Sequence, residues 1–227
     1  MCLSWEAVTA VGTIGATIVA LGIAIFHEHL RSLFWHPSLS ISCVNEPPDS
    51  HRTTLVNRVV GQEVPCFYFR LRIKNSGNAP ARTVEVFIRR VEQQRADGSF
   101  ELRREFLPLN LLWSHIGSAY YETIPPDVEK HCDLGHVIQP NRRGDFPGER
   151  HPLLPAEPDK TLFCLDLVVR PNTGSFLLPP GVYRLEVAAA ASNANLVSRV
   201  VELNHTGKWF DDEARMLREG VGLRPLN

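Results

Sequence analysis

Residues 7–26, AVTAVGTIGATIVALGIAIF, form a run of 20 residues without one charged side chain. A helix rises about 1.5 Å per residue, so this run is about 30 Å long, the thickness of a bilayer's hydrocarbon core. Its polar members are Thr9, Thr13 and Thr17, whose hydroxyls can bond to carbonyls one turn earlier. Trp5 precedes the run and Phe34 and Trp35 follow it, aromatic rings suited to the two interfaces. A buried helix of a globular core would carry a polar stripe, which is absent here. A cleaved signal peptide would need a basic start, and residues 1–6 (MCLSWE) hold no Lys or Arg. The pattern predicts an uncleaved anchor over residues 1–36 with a single transmembrane helix at about 7–26, and a lipid bilayer as its first partner.

Arg31 follows the run, and no basic residue precedes it. The positive-inside rule then puts the C-terminal domain in the cytoplasm, with the protein in the inner membrane. The odd count of five cysteines, without the tight spacing of a disulfide framework, agrees with that side. Within the run, Gly12, Ala16, Ala20 and Ala24 recur every four residues, along one helix face where two backbones can approach closely. This stripe predicts self-association through the anchor.

After Pro37 the pattern becomes alternating. In residues 66–74 (CFYFRLRIK), Phe67, Phe69, Leu71 and Ile73 point one way, while Tyr68, Arg70, Arg72 and Lys74 point the other, toward solvent or a partner. Residues 75–80 (NSGNAP) are turn chemistry, and Val84, Val86 and Ile88 resume the alternation. Further strands are expected over 100–106, 161–170, 183–187 and, last, 196–203. Seventeen prolines speak against a helical bundle. Many short strands separated by turns indicate a mainly β domain over 37–227, an antiparallel sandwich. A C-terminal helix is expected at about 211–219, capped by Asp211, ended by Gly220 and stapled by Trp209 and Phe210.

The strand-turn-strand FRLRIKNSGNAPARTVEVFI resembles bacterial immunoglobulin-like domains with an Asn-x-Gly-x-Ala-Pro-Ala turn, as in adhesion-related repeats. The longer succession of N-terminal helix, this strand pair, LPPGVYRLEVAAAASNA and NHTGKWFDDEARML is similar to uncharacterised bacterial single-pass membrane proteins with a cytoplasmic β-domain. The resemblance implies an immunoglobulin-like β-sandwich on a membrane tether. By analogy it also suggests the membrane-anchored, oligomerising effectors of bacterial defence.

Chemistry is sparse. Residues 125–159 form a Pro-rich stretch, expected as a loop, with seven prolines and with His131, Cys132 and His136 as nitrogen and sulfur donors. Their spacing is not that of a zinc site, so no metal and no cofactor is expected. A metal-dependent hydrolase on that loop is the alternative. Arg142, Arg143 and Arg150 make the stretch locally basic and are candidates for gripping an acidic ligand or partner. No nucleophile elbow, phosphate loop or HExxH helix is present. The 24 basic and 25 acidic residues argue against nucleic acid. The expectation is a non-enzymatic binding, sensing or assembly module with an unknown protein or small-molecule ligand; an outward-facing adhesion or envelope domain is a further alternative.

Overall fold

The computed structural model describes residues 5–57, 61–146, 148, 150–152, 154 and 159–226, and, within the first helix, the side chains of residues 9, 12–24 and 34. The chain divides into two units, Met1–His36 and Pro37–Asn227. The first holds helix α1, Trp5–Phe34, of 30 residues. Thr13 and Thr17 donate their hydroxyls to the carbonyls of Thr9 and Thr13, both at 2.9 Å, so these polar side chains are satisfied by the helix itself. Among the described residues no helix is long and apolar enough to cross a membrane. The unbroken stretch of described side chains in α1 is residues 12–24, and the expected span of 7–26 extends beyond it on both sides.

Among the described residues the second unit is two antiparallel sheets of seven strands each. The first is built from β1 (Leu39–Ser42), β2 (Ser50–Asn57), β3 (Gln62–Asn75), β7 (Leu112–Trp113), β9 (Glu129–Ile138), β10 (Phe163–Leu165) and β11 (Leu177–Leu178). Its order is β1-β3-β9-β10-β11, with β2 also on β3 and β7 also on β9. The second is built from β4 (Ala81–Gln94), β5 (Phe100–Leu102), β6 (Leu109–Asn110), β8 (Tyr120–Ile124), β12 (Gly181–Ala191), β13 (Ala194–His205) and β14 (Val221–Leu226). Its order is β14-β13-β12-β4-β5, with β6 and β8 also on β4. Residues 109–113 pass from β4 of one sheet to β9 of the other and close one side of the core.

The alternation seen in the sequence sets the faces. Phe67, Phe69, Leu71 and Ile73 of β3 are fully buried, as are Val84, Val86 and Ile88 of β4 and Tyr183, Leu185 and Val187 of β12. Asn75, where β3 ends, is fully buried too, and it explains the NSGNAP turn. Its Oδ1 accepts from the N–H of Ser38 (3.0 Å) and of Gly77 (3.1 Å). Its Nδ2 donates to the carbonyls of Ala79 (2.8 Å) and Ile124 (3.0 Å). One side chain thereby ties the approach to β1, the crossing between sheets and the end of β8.

Several expectations need correction. The strand expected over 161–170 is only β10, Phe163–Leu165, and the one over 100–106 only β5, Phe100–Leu102. Residues 129–138, expected within the Pro-rich loop, form β9, which pairs with β3 along nearly its whole length. The prolines flank this segment at Pro126 and Pro140 and do not interrupt its ladder. At the C-terminus the α-helical turn is only Glu213–Arg215, capped by the Asp212 side chain accepting from the Arg215 N–H, and not by Asp211. A π turn, Met216–Gly220, follows, and then β14, so residues 196–203 are not the last strand. Asn45 holds this ending: its Nδ2 donates to Leu217 and Val221 carbonyls and its Oδ1 accepts from Leu223 N–H. Trp209 does staple, packing edge-on against Phe67 at 5.2 Å.

His205, at the end of β13, is 1% exposed and meets the Thr161 hydroxyl at 2.7 Å. Burial lowers its pKa from 6.5 to about 4, against the pull of the Pro179 and Leu178 carbonyls toward the charged form. The unfolded chain then binds the extra proton first as pH falls. Stability should be flat above the unfolded value and fall between about 6.5 and 4 by up to about 1.4 kcal/mol per pH unit. Denaturant melts across that range should show this acid limb, and His205→Gln should flatten it even at lower overall stability.

Candidate functional site: the polar ladder on the β3–β9 face

The outward face of the first sheet carries an ordered set of ionisable side chains. Strand pairing puts Tyr68 opposite His136, Arg70 opposite Asp133 and Arg72 opposite His131. A register shift between Phe69 and Arg70 keeps all three pairs on the outer face, although the strands differ in residue count between them.

Each rung is closed by a further residue. In the first, Arg72 Nε donates to Asp49 Oδ1 at 2.7 Å, and His131 Nε2 lies 3.2 Å from the same oxygen. Asp49 is fully buried, and its other oxygen accepts from the Val44 N–H at 3.0 Å. The bond to Asp49 raises the Arg72 pKa further. In the second, Arg70 Nε donates to Asp133 Oδ1 at 3.0 Å and the Ser114 hydroxyl to the same atom at 2.6 Å. Burial raises the Asp133 pKa, opposed by Ser114 and Arg70. In the third, His136 Nδ1 sits 3.0 Å from both oxygens of Asp166, with the Tyr68 ring stacked on the imidazole at 5.1 Å. Arg70 lies over the Tyr68 ring, 5.8 Å from its centroid. His51, opposite Tyr68 on β2, has its pKa lowered by burial and then by the Arg70 charge.

Chemically the ladder is a fixed array of donors and acceptors whose members hold one another. The side chains of Arg72 and His131 are about a quarter exposed and those of Arg70 and Asp133 17%. Water therefore reaches the edges of the rungs, while Asp49 and His136 stay enclosed. Such an array suits recognition by hydrogen bonding.

The expected donors His131, Cys132 and His136 do not converge. Neighbours on a strand point to opposite faces. His131 and His136 lie on the ladder, two rungs apart, while the Cys132 thiol points inward to the Leu112 carbonyl at 3.3 Å. Burial pushes that thiol well up, away from the thiolate a metal needs. Among the described residues no group of three or more His, Cys, Asp or Glu side chains could hold a metal ion. Cys43, Cys66, Cys132 and Cys164 are buried, and none of the four is in a disulfide among the described residues.

Arg142 and Arg143 lie in a 3-10 helix, Pro140–Asp145. Arg142 is bound to Asp145 (2.6 Å) and the Glu63 carbonyl (3.3 Å). The Arg150 guanidinium rests so near Gly144 that a Cβ there would stand 2.5 Å from its Nη2. Gly12, Ala16, Ala20 and Ala24 are all exposed on α1. Sequence reasoning missed Asp49, which lies outside the expected strands, and Asp166, which falls within the strand expected over 161–170 but lies just past β10. The alternation of Glu129, His131 and Asp133 with Lys130, Cys132 and Leu134 was the available signal for the β9 half.

No family model matches the chain, and no curated protein is similar to it. A solved structure, that of a Northeast Structural Genomics Consortium target, is 11% identical, with 75% of this chain and 83% of that one covered at a TM-score of 0.25. That score supports no statement about fold or function.

Proposed function

We propose that the chain is a membrane-tethered, non-enzymatic binding and assembly module, an immunoglobulin-like β-sandwich carried by a single N-terminal span. The observation that carries this reading is the surface of α1. Ile14, Ile18, Val19, Leu21 and Ile23 are 54–64% exposed on a helix whose sequence over 7–26 has no charge. Leaving such a surface in water costs on the order of 25 cal/mol for each Å² of apolar area, and lipid removes the cost. The stripe of Gly12, Ala16, Ala20 and Ala24 lets two such helices pack closely there.

Strand order supports the immunoglobulin-like part. In that convention β1-β3-β9 stand as A-B-E, and β13-β12-β4-β5 stand as G-F-C-C′. Tyr183, near the start of β12, donates its hydroxyl to the Pro179 carbonyl at 2.8 Å, in the manner of a tyrosine corner. The polar ladder is the surface offered to a protein or small-molecule ligand, and Arg31 sets that domain on the cytoplasmic side.

The test is a pair of C-terminal fusions to the full chain. A fluorescent protein should be bright and alkaline phosphatase inactive. An active phosphatase would move the domain outside and favour the adhesion or envelope alternative.

A further inference from the structure

Strand β2 lies at an edge of the first sheet. It pairs with β3 from Ser50 opposite Phe69 to Asn57 opposite Gln62 without a register shift, and among the described residues no strand lies on its other side. Hydrogen bonds show which of its residues face outward. Pro65 and Glu63 of β3, opposite Thr54 and Val56, turn their carbonyls away from β2, to the Gln139 N–H at 3.4 Å and to Arg142 Nη2 at 3.3 Å. Residues opposite one another in an antiparallel pair either exchange bonds or both face away. Thr54 and Val56 therefore present N–H and C=O to the open edge. Arg52, by the same alternation, faces outward too, but its N–H is taken by Glu213 Oε2 at 2.5 Å, and its Nη1 donates to the Asp211 carbonyl at 2.7 Å. The edge is thus closed beside Arg52 and open from Thr54 on. Thr54 and Val56 are both exposed.

We propose that residues 53–57 pair antiparallel with the same residues of a second copy of the chain, with Leu55 on the two-fold axis, so that the first sheets of the two copies join. The proposal rests on the membrane-tethered reading above. Outward backbone donors and acceptors at a regular edge call for an extended strand, and identical strands pair about a two-fold axis without any other partner. The free groups select the register. With Leu55 on the axis, Thr54 of each copy meets Val56 of the other, and the two exchange both their N–H···O bonds. An axis on Thr54 would instead need the Arg52 N–H and would press the incoming strand onto Glu213. Thr54 and Val56 are both β-branched, a favourable cross-strand pair. Leu55 meets Leu55 of the second copy on the face where it packs against Val64, Cys66, Ile138 and Phe146, so the contact extends a small apolar cluster that each copy already has. One step further the register would set Arg52 against Arg58, like charges that confine the pairing to 53–57. So short a pairing buries far less than the roughly 1,200 Å² of a stable interface. It therefore depends on the anchors, which confine the copies to one surface and supply the effective concentration.

Cross-linking of the full chain in native membranes tests this, with Cys2→Ser as background, since the other four cysteines are buried. Residues opposite one another in a non-hydrogen-bonded pair, as Leu55 would be, have Cα atoms about 4.5 Å apart, within reach of a disulfide. Under mild oxidation Leu55→Cys should give a dimer band at least tenfold above both the background chain and Leu102→Cys, a control at an exposed position on β5 of the other sheet. Adding Thr54→Lys with Val56→Lys sets like charges opposite one another across the axis and should abolish the band. Thr54→Lys with Val56→Glu sets opposite charges there and should keep it. A Leu55→Cys band no stronger than that of Leu102→Cys, or one that treats the two charge pairs alike, overturns the edge pairing. If the chain is recovered outside the membrane, the tether reading fails by itself. The edge then stands if concentrated soluble protein gives the band with the same dependence on the charge pairs, and falls if it does not.

Discussion

Asn75→Ala should cost about 3–5 kcal/mol, far more than the size of the deleted group suggests. The side chain is fully buried and uses both its acceptor and its donors, on Ser38, Gly77, Ala79 and Ile124. Alanine leaves two N–H and two C=O groups without those partners, and each unsatisfied buried group costs on the order of 1–3 kcal/mol before relaxation and water recover part of it. Because the four groups belong to three separate stretches, no single shift can satisfy them. Asn75→Asp should also be strongly destabilising: it keeps the acceptor but offers a second carboxylate oxygen to two carbonyls. Denaturant melts read both. A cost for Asn75→Ala below about 1 kcal/mol would mean that the turn is held by its other contacts.

The second large effect distinguishes two outward residues and one inward residue of one strand. Arg72→Ala should cost roughly 3 kcal/mol, because it strips the main counter-charge from a carboxylate, Asp49, that has no contact with water. Lys74→Ala, on the same face but exposed, should cost under about 0.5 kcal/mol. Phe69→Ala, on the inward face, should cost about 3–5 kcal/mol from lost burial and the cavity left behind. Replacing Asp49 and Arg72 together should cost less than the sum of the two single changes, since the second removes a charge already orphaned. Equal costs for Arg72 and Lys74 would mean that water reaches Asp49.

These contrasts mark what a reading of residues alone can see. Alternation in CFYFRLRIK assigns Phe69 inward and Arg72 outward, and both are so placed. It cannot tell Arg72 from Lys74, because the difference lies in Asp49, 23 residues earlier, which the pairing of β2 with β3 brings to one and not the other. The same holds for His136, whose partner Asp166 lies 30 residues on. Period-2 patterning was also present in residues 129–138, but the flanking prolines and the His-Cys composition pointed to a loop. β14 was hidden because VGLRPL carries glycine and proline, poor strand formers that an edge strand tolerates when a side chain such as Asn45 supplies its outer partner. The turn NSGNAP was legible as a turn, while the role of Asn75 at the junction of both sheets needed the fold.

Membrane attachment is the claim on which the proposed function depends, and flotation after alkaline carbonate extraction tests it most directly. The full chain, produced in a bacterium, should stay with the floating membranes after the wash. Val19→Arg, which places a charge near the middle of the run at a cost of about 2.5–3.5 kcal/mol, should shift much of it out of them. Recovery of the native chain in the carbonate supernatant, with Val19→Arg behaving no differently, would contradict the account.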